Sequence, residues 1–152
     1  MKTRIVTLSI VGLWIGLSYA VLQGRPAAAP AQEPAKKSVW DGVYTKEQAQ
    51  RGEALYLQNC APCHGPTLAG AELAPPLTGA EFSANWDKLT VGDLFERIRI
   101  SMPADDPSKL SATQKADIVA QILSVGKFPA GEMELAKEPQ VLSQIQYLAT
   151  KP

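Results

Sequence analysis

Cys60-Ala61-Pro62-Cys63-His64 decides the reading of this chain, because it contains both cysteines and the one histidine among 152 residues. Two cysteines three positions apart fall on the same side of one helical turn, so both thiols can add to the two vinyl groups along one edge of a porphyrin. The next residue then offers its imidazole to the iron. Cys-x-x-Cys-His is accordingly the attachment spacing of haem c. Thioether bonds keep the group in place in both oxidation states, and neutral histidine is a good iron ligand. The expected cofactor is one haem c, covalent through Cys60 and Cys63, with His64 on the metal.

Three rival readings of the pair are weaker. A dithiol redox site belongs in a βαβ context, which this chain does not offer. A disulfide closing so short a loop stabilises little and leaves His64 unexplained. A structural zinc ion takes four N or S ligands, and only three are available.

With no second histidine in the chain, the opposite face of the iron falls to methionine, lysine, water or nothing. Met102, in Ser101-Met102-Pro103, is the best candidate, because the proline turns a helix end into a loop that can lie over the ring. Met133 is its rival. A soft sulfur ligand raises the potential and closes the site to oxygen and peroxide, which suits electron transfer rather than peroxidase chemistry.

Around the motif the pattern is helical. Thr45-Lys46-Glu47-Gln48 has capping-box spacing, and Ala49, Leu55 and Tyr56 follow on a helical stripe that delivers the chain to Cys60. Gly65-Pro66, Gly70, Pro75-Pro76 and Gly79 predict a loop. Thr90 with Asp93 opens a second helix that carries Leu94, Phe95 and Ile98 before Pro103 stops it. Ser111-Ala112-Thr113-Gln114 opens a third, with Ile118, Val119, Ile122 and Leu123 on one face and Gly126 at the C-terminal cap. Val141, Leu142, Ile145 and Leu148 suggest a short outer helix near the end. No strand pattern is evident. The expected fold class is all-α, with three to five helices and long Gly/Pro loops around one covalently bound haem.

Met1 to Arg4 is basic, and Ile5 to Leu22 carries no charge. That layout gives residues 1–31 as a secretory signal peptide, or as an uncleaved anchor with residues 5–22 in the membrane. Both place the rest outside the cytoplasm, in the periplasm. Ala, Pro and charged residues make 32–44 a linker, 45–127 the haem domain, and 128–152 a C-terminal extension. A hydrophobic fraction of 45% is that of a globular chain, not a disordered one. Beyond residue 31 there remain 12 basic against 15 acidic side chains. This excludes a basic nucleic-acid-binding face.

From Thr45 to Gly126 the residues resemble the class I cytochromes c, including the small haem domains associated with quinoprotein dehydrogenases. The resemblance rests on Cys60-Ala61-Pro62-Cys63-His64-Gly65, Gly70, Pro75-Pro76-Leu77-Thr78-Gly79, Met102-Pro103 and a capped final helix. It implies a cytochrome c fold in which the first and last helices cross. It also implies that Pro75 accepts a hydrogen bond from His64 through its carbonyl and that Leu77 packs on the porphyrin, although Pro75 and Pro76 stand side by side and either could serve. Trp86, Arg97 and Arg99 become candidates for contact with haem propionates, each equally explained as an ordinary core or surface residue. Unlike mitochondrial-type relatives, the chain beyond residue 31 is acidic, with 12 basic against 15 acidic side chains, and has no lysine-rich ring. The function implied is a periplasmic single-electron carrier, not itself an enzyme, working between redox proteins such as a dehydrogenase and a terminal oxidase. The alternative is a dedicated electron-accepting subunit of a quinoprotein (PQQ-dependent) dehydrogenase.

Overall fold

The computed structural model describes residues 36–72 and 74–152. The expected signal or anchor segment, 1–31, and the first part of the linker lie outside the described residues. Among the described residues no helix is long and apolar enough to cross a membrane.

The fold is built from helices α1 (Lys46–Asn59), α2 (Ala61–His64), α3 (Gly79–Trp86), α4 (Val91–Ser101), α5 (Ala112–Val125) and α6 (Pro139–Leu142). Among the described residues two of these six helices are single turns, so four helices of two turns or more make up the all-α frame. A parallel pair of two-residue strands, β1 (Lys37–Ser38) and β2 (Ile145–Gln146), is the only sheet among the described residues.

The helix starts follow their capping chemistry. The Thr45 hydroxyl accepts from the Gln48 amide at 3.1 Å. Thr90 with Asp93, and Ser111 with Gln114, form complete capping boxes, each satisfying two amides that have no intrahelical acceptor. The end of α5 differs from expectation. Gly126 keeps right-handed dihedrals, and Lys127 takes the left-handed position at φ 66°. The amides of Lys127 and Phe128 close a Schellman pattern on the carbonyls of Ser124 and Leu123, at 3.0 and 3.1 Å. Space is tight at Gly126, where a Cβ would stand 3.1 Å from the Phe128 ring, so that ring would have to give by a few tenths of an ångström.

Helices α1 and α5 cross at Gly52, where a Cβ would lie 1.8 Å from the Asp117 carbonyl oxygen. Only glycine allows two backbones so close. Beside the crossing Arg51 donates to both Asp117 carboxylate oxygens, at 3.2 and 3.1 Å, and to Glu134 at 2.8 Å. These bonds hold the guanidinium pKa above its ordinary value.

The described part of the linker, 36–44, and the extension, 128–152, both contribute residues to the core. Val39, Val43 and Tyr44 are buried, as are Phe128, Leu135, Leu142, Ile145 and Tyr147. Buried Gln48 reads the strap twice, donating to the Leu135 carbonyl at 2.9 Å and accepting from its amide at 2.6 Å. Tyr44 donates to the Phe128 carbonyl at 2.6 Å, and the Trp40 indole to the Leu148 carbonyl at 2.9 Å. The compact unit thus runs from before β1 to the end of the chain. The expected outer helix shrinks to α6, and Ile145 enters β2 instead.

Candidate functional site

The attachment motif is a single helical turn fixed from both sides. Helix α1 ends as the Cys60 amide donates to the Tyr56 carbonyl at 2.8 Å, and the Cys60 carbonyl then accepts from the amides of Cys63 and His64, at 3.1 and 2.9 Å. Pro62 sits within the first turn of α2, where its missing N–H is not needed. Gly65 follows at φ 77°, a left-handed conformation that costs glycine nothing, and turns the chain away from the helix.

Cys60 is half-buried, Cys63 is exposed, and the two are not bonded to each other. Burial, with Cys63 alongside, pushes the Cys60 thiol up to about 11. Among the described residues no three of His, Cys, Asp and Glu converge on one metal-ion position.

His64 is buried, and its Nδ1 lies 2.9 Å from the Pro75 carbonyl oxygen. With Nδ1–H donating there, the ring is held in the tautomer whose Nε2 carries a free lone pair, the form a metal takes. The loop that supplies Pro75 is braced by its own backbone. The Gly70 amide donates to the His64 carbonyl at 3.0 Å, and the Leu77 amide to the Leu68 carbonyl at 2.8 Å. A side chain at Gly70 would collide with Pro76, 2.7 Å from the Cβ position. Leu68 itself is buried at φ 62°, a conformation that strains a branched residue and is tolerated because the surroundings fix it. Cys60, Cys63, His64, Pro75 and Leu77 thus belong to one connected turn and loop, with Leu77 half-buried.

Met102 is brought by a different element. It caps α4 with extended dihedrals, φ −133° and ψ 142°, as a residue before proline must, and its amide donates to the Ile98 carbonyl at 3.0 Å. It is half-buried, whereas Met133 is 65% exposed on the C-terminal strap. Trp86 is half-buried against Phe82, with ring centroids 6.0 Å apart. Arg99 is held in a two-bond pair with Glu96, at 2.7 and 2.6 Å, and Arg97 is exposed on the same helix.

Tyr56 is a contributor the sequence reading placed only on a helix stripe. It is buried, and its hydroxyl donates to the Gly65 carbonyl at 2.6 Å, tying α1 to the residue after His64. Burial pushes its phenol up to about 12. The available signal was its position four residues before Cys60, on the face of α1 that must meet the motif.

Two free thiols on one turn and an imidazole with its second nitrogen already committed are a donor set that fits a covalently attached haem. Comparison with known proteins agrees. Residues 47–122 match the family model described as cytochrome c oxidase, cbb3-type, subunit III. The chain is 32% identical to cytochrome c-551 of Bacillus subtilis, over 76% of this chain and 94% of that one. It is 30% identical to the cytochrome bc1 complex cytochrome c subunit of Corynebacterium efficiens over 66% of its own residues, and spans a third, 33%, of that longer protein. Among solved structures it resembles the sulfane dehydrogenase SoxCD from Paracoccus pantotrophus at a TM-score of 0.51 and 22% identity, covering 82% of this chain and 68% of the other. That last likeness is one of fold.

Proposed function

The chain belongs to the cytochrome c family, and from that membership we propose that it is an exported single-electron carrier whose one haem c is bound through Cys60 and Cys63 and ligated by His64 and Met102. The observation that carries the reading is the 2.9 Å approach of His64 Nδ1 to the Pro75 carbonyl beside two unpaired thiols, which presents Nε2 ready for iron.

When bound, haem supplies a one-electron Fe(III)/Fe(II) couple. The polypeptide does the rest. Cys60 and Cys63 hold the ring edge, and Pro75 fixes the imidazole and raises its basicity. Tyr56 and the Gly65–Leu77 loop fix the height of that imidazole. Leu77 and Leu68 would supply apolar surface to the group, and Met102, at the end of α4, would be its second protein ligand. Nothing in this set moves a proton or a group. The substrate is therefore an electron, taken from one redox protein and given to another.

Residues 1–31 direct export, so the haem domain works outside the cytoplasm, free after cleavage or tethered through residues 5–22. A second reading makes the chain a dedicated electron-accepting cytochrome subunit of a larger oxidoreductase, such as a quinoprotein dehydrogenase; its longer relative, a cytochrome bc1 complex cytochrome c subunit, favours the subunit role. Purification from native membranes under mild detergent separates the two: a stoichiometric large partner supports the subunit, a free monomer the carrier.

The ligand assignment is tested by the sulfur-to-iron near-infrared band of the ferric protein. Wild type shows it, and Met102→Ala loses it together with a fall in reduction potential. Retention of the band in Met102→Ala would transfer the role to another residue.

A further inference from the structure

Lys115 is 2% exposed, which is rare for a lysine, and among the described residues no carboxylate forms an ion pair with it. Its ammonium instead donates to two backbone carbonyls, Arg99 at 2.9 Å and Pro107 at 2.6 Å. Both bonds have a cause in the sequence. In α4 the Ile98 carbonyl accepts from the Met102 amide, so the Arg99 carbonyl would accept from residue 103. Residue 103 is proline and has no N–H to give. The Met-Pro step thus leaves a carbonyl without its helical donor, and Lys115 supplies one. The second carbonyl, Pro107, lies on the far side of Met102 in the chain. One ammonium therefore ties together both ends of the segment 100–106, and Pro103 within it is buried.

Lys115 stands in the first turn of α5, where a cation opposes that helix's own dipole. Its placement gains nothing for α5. It does favour the C-terminal end of α4, where the carbonyls carry partial negative charge and Met102 is the cap.

We propose that Lys115 is a positioning residue for the axial methionine: by bridging the Arg99 and Pro107 carbonyls it holds the segment that presents Met102 to the iron. This rests on Met102 being the ligand. Lys115 acts through these two carbonyls, by restricting how far the segment can swing from α5.

The test uses the haem-loaded full-length protein, comparing wild type with Lys115→Met, which keeps the aliphatic stem and removes the donors. Three quantities are read: the sulfur-to-iron band through a urea titration, far-UV circular dichroism through the same titration, and amide hydrogen exchange over residues 100–106. In wild type the band and the helices are lost together. In Lys115→Met the band disappears at lower urea than the helices, and exchange over 100–106 rises roughly tenfold while α1 and α5 amides are unchanged. Should Lys115→Met fail to fold, Lys115→Gln, which is shorter and carries no charge, is read the same way. A variant that keeps both band and exchange at wild-type values overturns the clamp alone. A wild type that never shows the band overturns the Met102 ligation and the positioning role with it.

Discussion

Tyr56 shows how one side chain couples the frame to the site. Its hydroxyl ends on the Gly65 carbonyl, the first acceptor beyond the imidazole, so the motif turn is held by a phenol rather than by packing alone. Tyr56→Phe leaves that carbonyl without its partner and costs about 1–3 kcal/mol. Burial of the phenol sets a pH dependence. Burial disfavours phenolate and pushes the folded phenol up to about 12, above its ordinary value of 10. Its contribution is therefore fully present below pH 10 and is lost as pH rises toward about 12. Urea unfolding at a series of alkaline pH values should show stability falling across that window in wild type and a shallower fall in Tyr56→Phe. At this scale much was legible. Cys60, Cys63 and His64 announce themselves, because two sulfurs and an imidazole at this spacing have one common chemistry. Leu68 does not, since nothing in its identity signals a left-handed backbone, and Lys115 reads as an ordinary surface cation until its fold neighbours are known.

Among elements, the crossing of α1 and α5 decides most. Gly52 is an unremarkable glycine within a helical stripe, yet its missing side chain sets the separation of the two longest helices among the described residues. Gly52→Ala drives a methyl into the Asp117 carbonyl, and separating the helices costs about 3 kcal/mol, equivalent to a fall of roughly 10 °C in Tm. Differential scanning calorimetry reads it directly; an unchanged Tm would mean that the helices do not meet there. Helices α1, α4 and α5 were readable because each opens with Thr or Ser followed three residues later by an acceptor, and each has an apolar face at helical spacing. Helix α3 was not, because Gly79 at its start and only eight residues of length conceal the period. The parallel strand pair escaped for the opposite reason. Two residues on each side carry no alternation, and their pairing joins positions more than a hundred residues apart.

For the molecule as a whole, the C-terminal strap matters most. A composition shift after Gly126 suggests an appendage, but tertiary burial overrides it. Phe128, Leu142 and Tyr147 are core residues, and the Tyr147 ring packs edge-on against Phe82 and Phe128, with centroids 6.0 and 5.2 Å away. The strap also pairs through its backbone with the turn before α4, as the Tyr147 amide donates to the Leu89 carbonyl and the Lys88 amide to the Tyr147 carbonyl, both at 2.8 Å. A chain truncated after Gly126 therefore exposes α3, α4 and α5 at once, and circular dichroism should show no cooperative melt. A truncated chain that melts like the full-length one would restore the appendage.

The same whole-molecule scale holds the decisive claim, that the polypeptide and one haem form a single covalent species. Intact mass of the purified, exported protein after acid-acetone extraction measures it most directly. The expected value is the mature chain plus one haem, with neither Cys60 nor Cys63 reacting with iodoacetamide. A mass equal to the bare polypeptide, with both sulfurs alkylated or joined in a disulfide, would contradict the account.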